Sequence, residues 1–381
     1  MPQTTNVPLI LALWAAGLGA AGQYAKISVV FDRLGEAYPE AGLALGFVVS
    51  LVGFVGILFG VVAGLVVARI RYRRALLWAL WVGAGVSLIQ AVLPPLPVML
   101  ALRGVEGLSH LAIVVAAPTL IASLSAPEHR GLTLTLWSTF FGVTFTLIVL
   151  LGLPLVRAFG LPALFLAHSF WMTAAALLLT RMLPRSQPAT DSIAPSSLIA
   201  AHIAIYRSPR IAAPAAGWLF YTFCFLAILT VLPPHIAPEW RTWTVGAMPL
   251  ISIMVSMSFG VMALRYVSPI ALVQVGFFGC IAALIWLLVA PGSPAACFAL
   301  AAALGLIQGA SFAAVPDLNP DPADQAKANG ALAQMGNLGN TLGTPALLAV
   351  LSVAGYAGMV WTAILVFACG IGVHALLAAR R

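Results

Sequence analysis

Charged residues are scarce in this chain. Only 7% of its 381 residues are Asp, Glu, Lys or Arg, while 62% are hydrophobic. A soluble globular domain carries about 25% charged residues, so the composition excludes a water-soluble fold. The net charge of +8 does not indicate a nucleic-acid partner, because the basic residues lie between apolar runs and form no stripe on a soluble face.

Other absences narrow the class of function. The four cysteines show no CxxC spacing, so we expect neither a disulfide framework nor a metal site. No GxxxxGK[ST] loop occurs, which argues against ATP hydrolysis by this chain. We find no cluster of catalytic carboxylates, metal ligands or nucleophile and expect no enzyme and no cofactor. The first residues carry no positive charge, so we expect the first apolar run to be retained as an anchor.

Apolar runs long enough to cross a bilayer fill most of the chain, since a spanning helix needs about 20 such residues. Twelve runs lie near 7–31, 42–68, 75–94, 96–124, 130–155, 160–182, 211–233, 243–265, 268–290, 294–315, 329–353 and 356–379. We therefore predict an all-α membrane protein with twelve transmembrane helices in two pseudo-symmetric six-helix bundles, 1–182 and 211–381. The Pro- and Ser-rich stretch 183–210 is predicted to be a linker with a short interfacial helix near 198–206.

The basic residues predict the orientation. With the N-terminus inside, thirteen Lys and Arg residues fall in cytoplasmic segments and three in outer segments, and such an excess marks the cytoplasmic side. We expect a multi-pass protein of the bacterial inner membrane, with both termini and the linker in the cytoplasm. Lys26 and Arg103 are the two basic residues that lie within predicted spans.

An internal repeat supports two related halves. Residues 101–120 align without gaps on residues 299–318, and the alignment pairs Gly107 with Gly305 and Pro118 with Pro316. Repeated six-helix halves are a known plan of transporters, with the binding site near the middle of the bilayer.

One predicted span carries unusual polar residues. Arg103, Glu106 and His110 lie at i, i+3 and i+7, so they share a helix face. Charges at bilayer depth usually face a bundle interior or a cavity and mark a substrate or proton site. The alternative is a structural ion pair between Arg103 and Glu106 that holds helices together.

The loop after the second span resembles a signature of the major facilitator superfamily: a Gly, then Asp-Arg, then Gly and a basic cluster. Gly64, Arg69, Arg73 and Arg74 match this signature. In the family this loop braces the cytoplasmic gate, so the resemblance implies a gating role for these four residues. A plain positive-inside cluster is the alternative.

Two positions depart from the family pattern. Ala68 stands where the family usually has Asp, and Arg71 where it usually has Gly.

The run Arg103-Gly-Val-Glu106-Gly107 is similar to the fourth-helix signature, whose Arg is associated with proton coupling or with bracing the first helix. Drug–proton antiporters of the family carry a Gly-rich fifth helix that ends in a Gly-Pro element, whereas the fifth span here offers only Gly142, Gly152 and Pro154, which argues against a multidrug antiporter.

In this superfamily the first, fourth, seventh and tenth helices line the cavity, and polar and aromatic residues of these spans, with others of the fifth and eleventh spans, are our substrate-binding candidates. They are Gln23, Tyr24, Lys26, Arg103, His110, Trp137, Tyr221, Gln308, Gln334 and Asn337. The amides can grip polar solute groups, although each is as well suited to interhelical hydrogen bonds. The aromatic residues have packing as their alternative role, and Lys26 has snorkelling to the outer interface. The lone histidines His168 and His374 lie in spans outside the cavity, and we expect them to pack or hydrogen-bond.

The predicted function is secondary active transport by alternating access, with a monomer, a small-molecule substrate and protons as coupling ion. Lys26 and Arg103 outnumber Glu106 among charges inside spans, which favours an organic anion or polar metabolite. Glu106 is the expected proton-coupling residue, with His110 as the second candidate. The alternatives are proton-driven efflux of amphiphilic drugs or metabolites and a membrane sensor that does not transport.

Overall fold

The computed structural model of the chain describes residues 4–41, 44–184 and 198–381. Within these ranges the chain forms helices and no strand. Two compact units result: Met1–Pro127 with Thr139–Ala194, and Glu128–Ser138 with Pro195–Arg381. The predicted all-α class is confirmed. Much of the predicted linker 183–210 lies outside the described residues, and the two bundle boundaries stay a prediction.

The first unit holds most of the N-terminal helices. They are α1 (Val7–Ser28), α2 (Phe31–Ala37), α3 (Leu45–Ile70), α4 (Tyr72–Gln90), α5 (Leu96–Leu124), α7 (Phe140–Leu147), α8 (Leu153–Phe159) and α9 (Leu161–Met182). A π-helical turn, Ile148–Gly152, joins α7 to α8.

The second unit holds the remaining helices. They are α6 (Arg130–Ser138), α10 (Leu198–Arg207), α11 (Pro209–Val231), α12 (Pro238–Val255), α13 (Val261–Ala263), α14 (Pro269–Val289), α15 (Pro294–Leu318) and α16 (Pro322–Ala378). Helix α6 belongs here because it packs against α15, where Gly309 leaves room for the Thr135 side chain.

The helices of the described ranges account for the twelve predicted spans. Ten helical segments among the described residues are long and apolar enough to cross a membrane. The last of them, α16, is broken at Gly355, whose φ is 66°, and so covers the two predicted spans 329–353 and 356–379. Helix α4 overlaps most of the predicted span 75–94 and ends four residues before that span does. A short helix, α10, occupies the place of the predicted interfacial helix, and its interfacial position stays a prediction.

Capping residues in the sequence explain where several helices begin. Pro occupies the first helical position after the caps Ser208, Ser268, Ser293 and Asp321, and each cap side chain accepts a hydrogen bond from a backbone N–H of the first turn. Pro suits this position because the missing N–H would have no helical partner. These caps satisfy backbone donors that have no partner inside the helix.

The sequence repeat is also a repeat of packing. Helix α5 packs on α1, α3 and α4, and α15 packs on α11, α12 and α14. The paired glycines mark the same contact in each unit. A Cβ added at Gly107 would lie 2.8 Å from Val55 of α3, and one added at Gly305 would lie 2.3 Å from the Ser252 carbonyl oxygen of α12.

We expect Gly107→Ala to destabilise the protein by about 1–3 kcal/mol, because the new methyl group overfills the contact with α3. Gly104 lies one turn earlier on α5 with open space around it. Gly104→Ala is the matched control and is expected to be neutral or stabilising by up to about 1 kcal/mol. Thermal unfolding of the purified variants measures both, and an equal response would contradict this account of the repeat.

Candidate functional site

The predicted polar face of α5 lies inside the first unit. Arg103 and Glu106 are fully buried, with 0% of their surface exposed, and so is Lys26 of α1. The long α5 presents Arg103 and Glu106 to α1 and α4, with which it packs. The i, i+3 spacing places the Arg103 and Glu106 side chains in direct contact, as the helix geometry predicts.

Glu106 is the anion at the centre of this site. Its Oε1 lies 2.5 Å from Lys26 Nζ. Its Oε2 accepts hydrogen bonds from Arg103 Nη1 and from Gln90 Nε2 at 3.0 Å. Two cations and one amide therefore surround a single carboxylate, and charge-assisted hydrogen bonds of this kind are the strongest in proteins.

Lys26 is enclosed by acceptors. Its Nζ donates to Ser87 Oγ at 2.6 Å and to Gln90 Oε1 at 2.8 Å, besides its contact with Glu106. The ring of Phe165 lies 5.5 Å away and provides a cation–π contact. The ammonium thus points into the unit, and the snorkelling alternative does not describe this structure.

Arg103 ties three helices together. Its Nε donates to the Val48 carbonyl of α3 at 2.6 Å, and Nη1 donates to the Gln23 carbonyl of α1 at 2.7 Å. The Gln23 side chain donates to Ser109 of α5 at 2.9 Å. Arg103 therefore braces the first helix, one of the roles that the family resemblance implies.

His168 of α9 completes the site. Its Nε2 lies 2.8 Å from the Gly19 carbonyl oxygen, and its Nδ1 lies 2.7 Å from Ser87 Oγ and 3.3 Å from Lys26 Nζ. A carbonyl only accepts, so Nε2 carries the proton and Nδ1 accepts from Ser87. Hereafter the ion cluster means Lys26, Ser87, Gln90, Arg103, Glu106 and His168.

Sequence reasoning missed three members of the ion cluster as site residues. Ser87 and Gln90 lie in a predicted span that carries no site candidate, and His168 is predicted to pack or hydrogen-bond outside the cavity. The hydrogen-bonding role expected for His168 is found, but its partners are the charged groups. A polar residue one turn from another within an apolar span, such as Ser87 and Gln90, is the signal that points to them.

Tyr24 and His110 form an aromatic group beside the ion cluster. Their ring centroids are 5.0 Å apart, and each ring also contacts Phe141 of α7. His110 Nδ1 lies 2.9 Å from the Ala20 carbonyl oxygen. Tyr24 is half-buried and His110 is 4% exposed, so these rings reach nearer the surface of the unit than Glu106 does.

The remaining binding candidates lie in the second unit. Gln308 Nε2 donates to the Ser138 carbonyl at 2.5 Å. Gln334 Oε1 accepts from the Tyr206 hydroxyl at 2.6 Å, and Asn337 donates to the carbonyl one turn before it. Tyr221 stacks on Trp218 and Phe225, and Trp137 is fully buried. Each amide thus has a protein partner here, and their roles in binding stay a prediction.

The predicted gating loop contacts the end of a neighbouring helix. Arg73 donates to the carbonyls of Thr180 at 3.0 Å and Leu183 at 3.2 Å, at the end of α9. Arg69 and Arg74 are exposed. The gating role of these residues and of Gly64 stays a prediction.

Arg71 is one of the two departures from the family signature. Its φ is 82°, in the region that favours glycine, and the family usually has Gly there. We expect Arg71→Gly to stabilise the protein by about 1 kcal/mol, since strained backbone costs about 1–3 kcal/mol and glycine relieves it at some entropic cost. Thermal unfolding of the purified variant measures the effect. Arg74→Gly, at an exposed arginine nearby in α4, is the control for introducing a glycine. Equal losses in the two variants would contradict it.

Repeated helical packing in two units, together with buried charges among membrane spans, is typical of a multi-pass transport protein. The sequence profile of the Major Facilitator Superfamily matches residues 9–344, and the chain belongs to this superfamily. Its members are transporters and not enzymes. Among the residues that the structure describes, no group of three or more His, Cys, Asp or Glu is placed to hold a metal ion.

Solved structures share this fold over nearly the whole chain. The human organic anion transporter MFSD10 (TETRAN) has a TM-score of 0.78 at 15% identity, covering 98% of this chain and 100% of that one. The E. coli fucose:proton symporter FucP has 0.74 at 15%, covering 99% of both chains. The proton:xylose symporter XylE has 0.75 at 14%, covering 98% and 94%. Identities this low show the fold alone. No curated protein sequence matches significantly.

Proposed function

We propose that this chain is a proton-coupled secondary transporter of a small organic anion or polar metabolite. It works by alternating access as a monomer in a bacterial inner membrane, with both termini in the cytoplasm. One observation carries the proposal: two fully buried cations, Lys26 and Arg103, share one fully buried carboxylate, Glu106. The Lys and Arg excess in the predicted cytoplasmic segments supports the orientation.

The charge sum of the ion cluster supports an anionic substrate. With His168 neutral, Lys26, Arg103 and Glu106 sum to one positive charge. An unbalanced charge in a low-dielectric interior is costly unless it is paired. Arg103 Nη2 also has no hydrogen-bond partner among the described residues. A bound anion would balance the charge and accept that hydrogen bond once the site opens.

The three donors around Glu106 support its role in coupling. While Lys26, Arg103 and Gln90 donate to it, they favour the ionised carboxylate. A conformation that moves Lys26 away removes one of these donors and favours protonation. Access and proton binding are then linked through one ion pair. His110 is the second candidate because its ring is near the same helix face and less enclosed.

A thermal-shift screen of the purified protein against anionic, neutral and cationic metabolites tests the substrate class. We expect stabilisation by small carboxylates or phosphates, since a ligand at a hundredfold excess over its Kd adds about 2.7 kcal/mol. The shift should shrink in Lys26→Ala more than in Lys26→Arg, because the arginine keeps the charge. Stabilisation by neutral or cationic compounds only, or equal shifts in both variants, would contradict an anionic substrate.

The second candidate function is proton-driven efflux of amphiphiles. The aromatic contacts of Tyr24, His110 and Phe141 favour it, since aromatic faces hold apolar or cationic groups. Stabilisation by lipophilic cations in the same screen, with none by carboxylates, would support efflux and exclude the anion.

A further inference from the structure

We infer that His168 is a second protonation site of the coupling mechanism and that its protonation is incompatible with the Lys26–Glu106 ion pair. The inference rests on the proposed proton coupling, which assigns no role to this side chain. His168 is 7% exposed and lies on α9, while the other titratable members of the ion cluster lie on α1 and α5.

The hydrogen bonds around His168 fix its neutral form. Lys26 has three N–H groups, and three acceptors meet them: Glu106, Gln90 and Ser87. Ser87 accepts from Lys26, so its own proton is available to His168 Nδ1 at 2.7 Å. The chain of donors runs from Lys26 through Ser87 to His168 and ends at the Gly19 carbonyl, 2.8 Å from Nε2. The hydrogen bond from Ser87 to His168 uses the lone pair of Nδ1.

A proton on Nδ1 reverses this chain. The new N–H would point towards Ser87 Oγ, and Nδ1 lies 3.3 Å from Lys26 Nζ. Two unit charges this close repel strongly even at an effective dielectric constant of about 20. The charged groups facing the imidazole are Lys26 of α1 and Arg103 and Glu106 of α5, and Glu106 already binds both cations.

The consequence is an exchange of one cation for another. When a proton from the aqueous phase binds Nδ1, Lys26 must leave its position beside Glu106 or release a proton to water. The imidazolium then supplies the second positive charge of the ion cluster, so the net charge is conserved, but its new N–H faces Ser87 and not Glu106. Loss of the Lys26 contact frees one lone pair of Glu106, which is the change that the proposed coupling step needs.

His374 provides a matched control in the second unit. It is fully buried in α16, and neither ring nitrogen has a hydrogen-bond partner among the described residues. Its ring fills the space beside Gly217 and lies 6.1 Å from the ring of Phe277. His374 is buried, as His168 is, but it does not belong to the ion cluster.

Histidine hydrogen–deuterium exchange at Cε1, read by mass spectrometry on the purified full chain in D2O, tests the inference without a substrate. The rate reports the protonation of each histidine. In Lys26→Met we expect the pH of half-protonation of His168 to rise by at least about one unit, since a neighbouring like charge is removed. His374 should be unchanged. An unchanged His168 midpoint, or equal shifts at both histidines, would overturn the inference. Lys26→Gln replaces Lys26→Met if the latter does not fold.

Uptake into proteoliposomes gives the functional readout, with the stabilising carboxylate from the screen as the probe. His168→Asn keeps an acceptor for Ser87, and His168→Gln keeps a donor for Gly19, but neither titrates. Both variants should flatten the dependence of uptake on external pH, whereas His374→Gln should keep the parent profile. If uptake by both His168 variants depends on external pH as it does in the parent, the inference is contradicted even when uptake is proton-driven. Uptake without proton movement in the parent would instead contradict the proposed function. The hydrogen–deuterium exchange of His168 would then still show whether its protonation competes with the Lys26–Glu106 ion pair.

Discussion

Glu106→Gln is expected to abolish proton-driven accumulation and to spare substrate exchange at equilibrium. The glutamine keeps the size of the side chain but cannot gain or lose a proton, so the cavity can still alternate without coupling. Accumulation should fall to the level of empty liposomes, and exchange should persist per folded protein. Uptake and counterflow in proteoliposomes measure the two activities.

Glu36→Gln is the matched control for this change. Glu36 pairs with Arg33 at 3.0 Å, and both side chains are more than half exposed, so the pair contributes about 0–1 kcal/mol. Accumulation by this variant should equal that of the parent. Intact accumulation in Glu106→Gln would transfer the coupling role to His110 or to another ion.

The second large expected effect is a loss of folding stability that depends on the net charge left in the ion cluster. Removing one partner of a buried ion pair costs about 3–5 kcal/mol. Glu106→Gln leaves Lys26 and Arg103 as two cations without an anion and should show the full cost. Lys26→Met leaves Arg103 paired with Glu106 at zero net charge, so we expect its cost to stay below about 2 kcal/mol, near that of the lost hydrogen bonds.

The double variant Lys26→Met, Glu106→Gln carries one positive charge, as the parent does. Its stability should lie between those of the single variants, so adding the second substitution to Glu106→Gln is expected to restore stability. Chemical or thermal unfolding of the four proteins measures this cycle. If Lys26→Met proves the most damaging of the three variants, the charge count is not what governs the ion cluster.

Features that depend on local spacing could be predicted from the sequence. Arg103 and Glu106 are one helical turn apart, so their contact follows from the helix alone. Gly107 and Gly305 align in the repeat, and both prove to be places where a second helix comes close. The helix caps follow from short motifs such as Ser293-Pro294.

Features that depend on how helices rotate against each other could not be predicted. A span that is apolar on all sides does not reveal which side faces its neighbour. The approach of His168 to Lys26 requires α1, α4 and α9 to meet with particular faces, and the sequence separation of these helices leaves no local trace. The family pattern places the sixth span outside the cavity, so it gives no reason to expect His168 in the site.

Proton movement during transport tests the central claim most directly. Proteoliposomes containing the purified chain and the entrapped pH indicator pyranine are exposed to the carboxylate that the thermal-shift screen identifies, with membrane potential clamped. The account predicts a change of internal pH that accompanies solute entry in the parent and disappears in Glu106→Gln. Solute entry without a pH change in the parent, or an equal pH change in Glu106→Gln, would contradict it.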